Sequence, residues 1–258
     1  MAKRSMMDQF HELKEANPGT ILFFRMGDFY ELFHDDAEVG SNVLGLALTS
    51  RDKNAEHPIP MAGFPWHQLE ENLRLMLRAG YKVTVAEQEE ELREGAKLLE
   101  RVVTRIYTPG SLYEESLIGS DASALLCSLM VQDEQVAMSM IDASTGQAWA
   151  VSFGGDGKWA SIYDEIMRWN PSELVLTPKD SERSELLHLL GMLDSVVVSQ
   201  HSYQSKRASE RLKTMLEVND LGHLDLGQSP QALQATALAA DYLATVHLHD
   251  DIAIRDVD

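Results

Sequence analysis

The sequence predicts an α/β protein of two domains, on three observations. Strand-like apolar runs alternate with helical apolar periods along the chain, a stretch rich in Ser, Glu, Gly and Asp near the middle interrupts that alternation, and 258 residues suit two ordinary cores better than one. Apolar residues make up 44% of the chain and charged residues 24%, the balance of a folded domain, and no run approaches the roughly 20 apolar residues that span a bilayer. A membrane protein and a disulfide-stapled miniprotein are both excluded. Met1 to Asp8 shows no apolar export segment and Cys127 is the single cysteine, so a reducing, cytoplasmic location is expected.

In the first half, Met6, Met7, Phe10 and Leu13 recur at helical spacing behind Ser5, with Asp8 completing a capping box and Asn17-Pro18-Gly19 as the stop. Thr20 to Phe24 reads as a buried strand that turns at Gly27-Asp28 into Phe29 to Phe33, a hairpin. Asp35 or Asp36 is expected to cap a short helix through Val43, Leu46 and Leu48 to mark another strand, and Asp52 to Pro65 to form a polar loop stiffened by Pro58, Pro60 and Pro65. Leu69, Leu73, Met76 and Leu77 line a helix ending at Gly80, followed by a strand over Tyr81 to Val85. Glu87 to Glu100 reads as acidic and partly helical, and Arg101 to Tyr107 as a return to the sheet. Ser111 to Ser123 looks like a linker.

The second half opens with three short strands, Ala124 to Val131, Val136 to Ile141 and Ala148 to Phe153, joined by turns, which predicts an antiparallel meander. A helix through Ile162, Ile166 and Trp169, a strand at Leu174 to Leu176, a helix through Leu186, Leu187 and Leu190, a strand at Val196 to Val198 and two further helices follow. The last is capped by Ser229 with Pro230 in its first turn and runs to about Val246. A meander followed by βα alternation suggests a ribonuclease H-like sheet, and His247 to Asp258 is expected to add nothing to a core.

Charge narrows the choice of partner. Twenty-two basic against 41 acidic side chains give a net −19, so the surface as a whole repels nucleic acid and any DNA binding must be local. Residues 1–115 carry −7 and residues 116–258 carry −12, leaving the first part less hostile to phosphate.

No catalytic residue is assigned. Gly154-Gly155-Asp156-Gly157-Lys158-Trp159 has Trp where a phosphate loop needs Ser or Thr, and reads as a turn. His247-x-His249 lacks a companion pair at zinc spacing, so no metal is assigned either. Asp142 leaves the second meander strand near where ribonuclease H-like nucleases hold metal, with Asp164, Glu165 and Asp241 as further carboxylates. A nuclease centred on Asp142 is therefore one rival reading, and an acidic protein-interaction module without a DNA role is another. Cys127, in an apolar strand, is expected to be core.

Arg25 to Phe33 is the informative segment. Alternation places Phe29, Glu31 and Phe33 on one side of a strand, so Glu31 is either exposed together with Phe29 or buried with a partner that satisfies its charge. An exposed Phe beside a carboxylate is suited to a stacked duplex: an apolar wedge kinks it while the polar group hydrogen-bonds a displaced base.

Arg25 to Phe33 with Asp35-Asp36-Ala37, Pro58-Ile59-Pro60-Met61-Ala62-Gly63-Phe64-Pro65-Trp66-His67, Glu87-Gln88 and Arg105-Ile106-Tyr107-Thr108-Pro109-Gly110-Ser111 together resemble the N-terminal region of the MutS family of DNA mismatch repair proteins. The resemblance continues more weakly through the second half. It implies a mixed-sheet mismatch-recognition domain at 1–113, a linker at 114–122, a ribonuclease H-like connector domain at 123–247, and a tail at 248–258 toward lever, clamp and ATPase domains that this chain lacks. By motif position Phe29 stacks on a mispaired or unpaired base and Glu31 hydrogen-bonds it, with a raised Glu31 pKa expected beside phosphates. Arg51 and Arg105 align with basic positions that contact phosphate or the minor groove, or else form surface ion pairs. Met61, Ala62 and Gly63 either approach DNA closely or simply form a rigid turn positioning His67 over the sheet.

The implied partners are mismatched double-stranded DNA, a MutL-type protein through the connector, and a second copy only with the missing domains, with location at the nucleoid. No cofactor is expected on this chain, ATP and magnesium belonging to the absent ATPase domain. Glu89 to Glu94 is acidic where many relatives are basic, which lowers the expected DNA affinity.

Overall fold

The computed structural model describes residues 5–51, 56–89, 99–114, 117, 124–132, 134–193, 196–222, 229–248 and 253–257. The chain divides into two compact units, Met1–Tyr107 and Thr108–Asp258.

In the first unit, helix α1 (Met6–Ala16) starts at the Ser5–Asp8 capping box, in which each residue bonds the other's backbone N–H. Strands β1 (Thr20–Met26) and β2 (Phe29–Phe33) form the expected antiparallel hairpin, with Met26 opposite Phe29 and Phe24 opposite Glu31. Of its two loop residues, Gly27 has φ +59 and Asp28 does not have a positive φ, the signature of a turn whose first central position favours glycine.

Helix α2 (Asp35–Leu44) follows. Its cap position is His34, so the expected Asp cap is corrected: Asp36 is inside the first turn and points into the core. There its carboxylate takes Lys14 Nζ at 2.6 and 2.8 Å and the Leu22 N–H at 2.9 Å, a use that outranks capping for a buried charge. Leu46 and Leu48 do not form the next strand. It is the two-residue β3 (Thr49–Ser50), paired to β4 (Pro60–Pro65), where a loop was expected. Pro60 and Pro65 occupy the two ends of β4, where missing N–H donors harm the ladder least, and alternation buries Ala62 and Phe64 between them.

A 3₁₀ turn, Trp66–Gln68, leads into α3 (Leu69–Arg78), which ends near Gly80 at φ +83. Strands β5 (Lys82–Gln88) and β6 (Arg101–Tyr107) complete a six-stranded mixed sheet in the order β3-β4-β2-β1-β5-β6. Glu87 and Gln88 thus belong to a strand, while residues 90–98 of the expected acidic helix lie outside the described residues. One face of the sheet packs Phe23, Tyr30, Leu32 and Phe64 toward α2 and α3. The other packs Leu22, Phe24 and Phe33 against Met6 and Phe10 of α1.

The second unit contains β7 (Leu125–Gln132), β8 (Gln135–Asp142) and β9 (Gln147–Phe153) as the expected meander. After α4 (Lys158–Trp169), β10 (Glu173–Leu176) pairs parallel to β7. After the four-residue α5 (Pro178–Ser181), which the sequence reading missed, and α6 (Ser184–Leu190), β11 (Val197–Gln200) pairs parallel to β10. The order β11-β10-β7-β8-β9 is the ribonuclease H-like arrangement.

Helices α7 (Ser205–Met215) and α8 (Pro230–Val246) follow, and α8 lays buried alanines on β7 and β8. The tail does join the core, contrary to expectation: Ile254 and Val257 are buried, and β12 (Asp256–Val257) adds a parallel edge to β9 at Gln147 and Ala148. Two apolar side chains suffice for an edge strand, although they form no period visible in sequence. The expected linker is also partly ordered, since Ser111, Leu112 and Leu117 are buried. The Gly110 N–H donates to Glu173 Oε2 at 3.1 Å, and His247 Nε2 lies 2.8 Å from the Ser111 carbonyl oxygen.

Two predictions follow from buried carboxylates. Asp36→Ala strands the buried Leu22 N–H and removes the partner of Lys14, and is expected to cost about 2–3 kcal/mol in denaturant unfolding. Burial raises the Asp241 pKa, but hydrogen bonds from Arg207 and His201 and the Arg211 charge outweigh it and hold the carboxyl below its ordinary value. Its contribution to stability is therefore present above the unfolded-state value near 3.8 and lost as pH falls through the lower folded one. Asp241→Asn should lower the melting midpoint at neutral pH and flatten the acid limb of a stability–pH curve.

Candidate nucleic-acid interface

The face of the first sheet that carries α1 is only partly covered. The row Leu22–Phe33 lies under the helix, with Phe10 5.1 Å from the Phe33 ring in an edge-on contact, whereas the row Met26–Phe29 lies at the hairpin tip. Phe33 is accordingly buried at 1% exposure and Phe29, four residues away on the same side of the strand, is 44% exposed. Between them Glu31 is half-buried, flanked by Phe24 on β1 and Gly63 on β4. The two alternatives for Phe29 and Glu31 are thus resolved as an exposed ring next to a partly sheltered carboxylate.

Burial among these strands raises the Glu31 pKa above the usual carboxylate value, and the Arg51 charge opposes the shift without cancelling it. Desolvation thus shifts this carboxyl toward the form that can donate a hydrogen bond. Gly63 makes room for it. A Cβ added there would meet Glu31 Cδ at 2.8 Å and the Tyr30 carbonyl oxygen at 2.9 Å. Ala62 is buried in the core and Met61 is half-buried opposite Phe33, so of the Met61-Ala62-Gly63 segment it is Gly63 that adjoins Glu31. His67 is exposed on the 3₁₀ turn.

The basic residues separate. Arg51 is exposed, its guanidinium 5.9 Å from the Phe33 ring centroid, with Nη1 3.8 Å from Met6 Sδ, so it shares the face of Glu31. Arg105 sits on β6, three strands across the sheet from β2, and is 6% exposed with its guanidinium 4.4 Å from the Tyr107 ring centroid. The structure therefore brings Phe29, Glu31, Arg51 and Gly63 together and holds Arg105 in the interior.

Three residues that the sequence reading did not single out as site residues hold the tip in place. Arg101 is 8% exposed and donates from Nε to the Arg25 carbonyl oxygen at 3.1 Å and from Nη2 to Gln88 Oε1 at 2.8 Å. Gln88 Oε1 also accepts the Gly27 N–H at 3.4 Å. Arg25 donates from Nε to the Gly27 carbonyl oxygen, and its guanidinium lies 5.4 Å from the Tyr30 ring and 5.1 Å from the half-exposed Trp66 ring. Backbone of the Gly27 turn is thus bonded on both sides, which aims Phe29 outward. Arg25, two residues before Gly27, was the signal available in sequence, whereas Gln88 and Arg101 reach the turn only through the fold.

The carboxylates of the nuclease reading have other occupations. Asp142 Oδ1 accepts the Ser144 N–H at 2.9 Å and the Ser144 hydroxyl at 2.6 Å, capping the β8–β9 turn. Glu165 binds Trp169 Nε1 and Arg168, and Asp241 is held by two arginines and His201. Lys158, in the glycine-rich turn, donates to the Glu134 carbonyl oxygen at 3.0 Å. Cys127 is fully buried and its thiol pKa is pushed up by that burial. His249 lies outside the described residues. Among the described residues no three His, Cys, Asp or Glu side chains converge as metal ligands, and no helix is long and apolar enough to cross a membrane.

A mixed-sheet unit with an aromatic–carboxylate hairpin tip, followed by a ribonuclease H-like unit, defines the class as a paired recognition and connector module. Family models agree: residues 4–116 match MutS domain I and residues 124–254 match MutS domain II. The chain belongs to the MutS family. It is 31% identical over 252 residues to the DNA mismatch repair protein MutS of Staphylococcus aureus, covering 98% of this chain and 27% of that protein. It is 36% identical over 242 residues to MutS of Nitratidesulfovibrio vulgaris, covering 93% and 26%, and 38% identical over 176 residues to that of Syntrophomonas wolfei, covering 68% and 20%. The chain spans about a quarter of the length of these relatives.

Gly63→Ala tests the packing of this tip. The added methyl has a carboxylate carbon and a backbone oxygen in its way, so overpacking of about 1–3 kcal/mol is expected in thermal or denaturant unfolding.

Proposed function

We propose that this chain recognises mispaired or unpaired bases in duplex DNA, as the first stage of mismatch repair, and does so by binding without covalent chemistry. The observation that carries the reading is Phe29, 44% exposed at the tip of a braced hairpin, beside a Glu31 whose pKa is raised. Phe29 enters from the minor groove and stacks on the mispaired base. The resulting kink is cheaper where stacking is already poor, so discrimination comes from deformability. Glu31, two residues along and sheltered by Gly63, hydrogen-bonds the displaced base. In its protonated form it donates that bond and adds no charge repelling phosphate.

Arg51 supplies local positive charge on a chain of net −19, and contact of Met61, Ala62 and Gly63 with DNA runs through the half-buried Gly63. Arg105 acts from the interior by holding β6, with direct phosphate contact requiring it to leave the Tyr107 ring. The second unit relays the bound state. The −12 charge of residues 116–258 and the exposed Leu187 and Met192 suit a MutL-type protein partner. ATP, magnesium and stable pairing of two copies belong to parts of the longer relatives that these 258 residues do not resemble.

The test is binding of the chain to matched duplex and to a duplex with one mismatch at low salt. One stacked base is worth about 1–3 kcal/mol, so Phe29→Ala should lose about tenfold or more in mismatch affinity with little change for matched DNA. Glu31→Gln removes a charge and should strengthen matched-duplex binding, narrowing discrimination. Mismatch affinity of the wild type should rise as pH falls through the raised Glu31 pKa, a dependence the Gln variant lacks. Equal binding of both duplexes, unchanged by Phe29→Ala, would return the acidic protein-interaction reading. Magnesium- or manganese-dependent cleavage abolished by Asp142→Ala would return the nuclease.

A further inference from the structure

We infer that His11 and His34 form a binding site for a divalent transition-metal ion with imidazole preference, of the zinc or nickel kind. Their Nε2 atoms lie 3.2 Å apart, His11 on α1 and His34 at the corner where β2 passes into α2. With metal–nitrogen bonds of about 2.05 Å, two nitrogens at that separation subtend about 100° at a shared ion, near the tetrahedral angle. His11 is exposed and His34 partly so, which leaves the remaining coordination positions to water.

The second observation is independent of that distance. His34 has φ 55 and ψ −134, a backbone region that suits glycine and strains any residue with a Cβ. The strain is held by its surroundings: the His34 N–H donates to the Pro60 carbonyl oxygen at 3.0 Å, and its own carbonyl accepts the Ala37 N–H at 3.0 Å. The two imidazole centroids are 5.4 Å apart and tilted by 36°, and the His34 ring is 6.1 Å from buried Phe10. The residue that bears this strain has its ring turned toward another imidazole. Twenty-three residues separate the pair, so no spacing rule for metal ligands detects it. An ion held here ties α1 to the far end of β2, at the opposite end of that strand from Phe29.

The experiment is calorimetric titration of the chain with zinc chloride, and separately nickel chloride, near neutral pH. The wild type is expected to bind one ion and to melt at higher temperature with zinc than in chelator. His11→Gln, on an exposed helix position, should keep its circular dichroism and lose both effects. His34→Gly, relieved of the left-handed strain, should fold, lose zinc binding and melt no lower than the wild type in chelator. His67→Gln, on the exposed 3₁₀ turn, should bind as the wild type does. No binding by the wild type, or binding undiminished in His11→Gln, overturns the site and leaves an ordinary histidine–histidine hydrogen bond. Neither result bears on mismatch recognition, which is read at Phe29.

Discussion

Helix α1 spans Met6–Ala16 and packs over Leu22, Phe24 and Phe33, and because that cover thins to a half-buried Met26 and ends before Phe29, one strand carries a core phenylalanine at one end and an exposed one at the other. The function proposed for the first unit depends on that incomplete cover. An exposed ring on a loose loop would reorder on contact and lose affinity to entropy. Here the ring stands on paired strands, β1 on one side and β4 on the other, and the turn behind it is bonded by Arg25 and Gln88. The rigidity comes from the sheet and the exposure from the end of the helix.

The same edge bears on how an acidic chain could meet the polyanionic ligand proposed for it. Long-range repulsion from a net −19 is screened beyond about 8 Å at physiological salt, so the proposed recognition would rest on the charges within that radius of the tip. Arg25, Arg51 and Arg101 all belong to this part of the sheet, and burial raises the pKa of Glu31, so the local balance is less negative than the composition implies. Arg101 is kept where burial lowers its own pKa because it bonds two carbonyl oxygens and Gln88 at once.

In the second unit the buried polar groups do structural duty. Glu173, with no exposure, accepts the Gly110 N–H, the Ser199 hydroxyl and the Tyr242 hydroxyl, joining β10, β11, α8 and the segment that enters the unit. Asp241 gathers two arginines and a histidine. Such satisfied networks fix one arrangement of elements, and breaking them exposes an uncompensated group. The relay proposed for this unit needs that kind of stiffness, and Asp241, one of the carboxylates a nuclease would need free, is taken up by it.

Local chemistry was legible in the sequence: the Ser5 cap, the Gly27-Asp28 hairpin, the meander, the Ser229-Pro230 helix start and the Phe29–Glu31 motif all depend on neighbours a few residues away. What failed were features decided at long range. Pro60 to Pro65 reads as a loop until β2 is beside it, Asp36 reads as a cap until Lys14 and Leu22 come within reach, and Ile254 and Val257 read as tail until β9 offers an edge. Sequence periodicity fixes which side of β2 Phe29 and Phe33 share, because alternation is a property of the extended backbone. Only the placement of α1 over that side decides that Phe33 is core and Phe29 meets solvent, since burial is set by what packs above a strand and not by the strand itself.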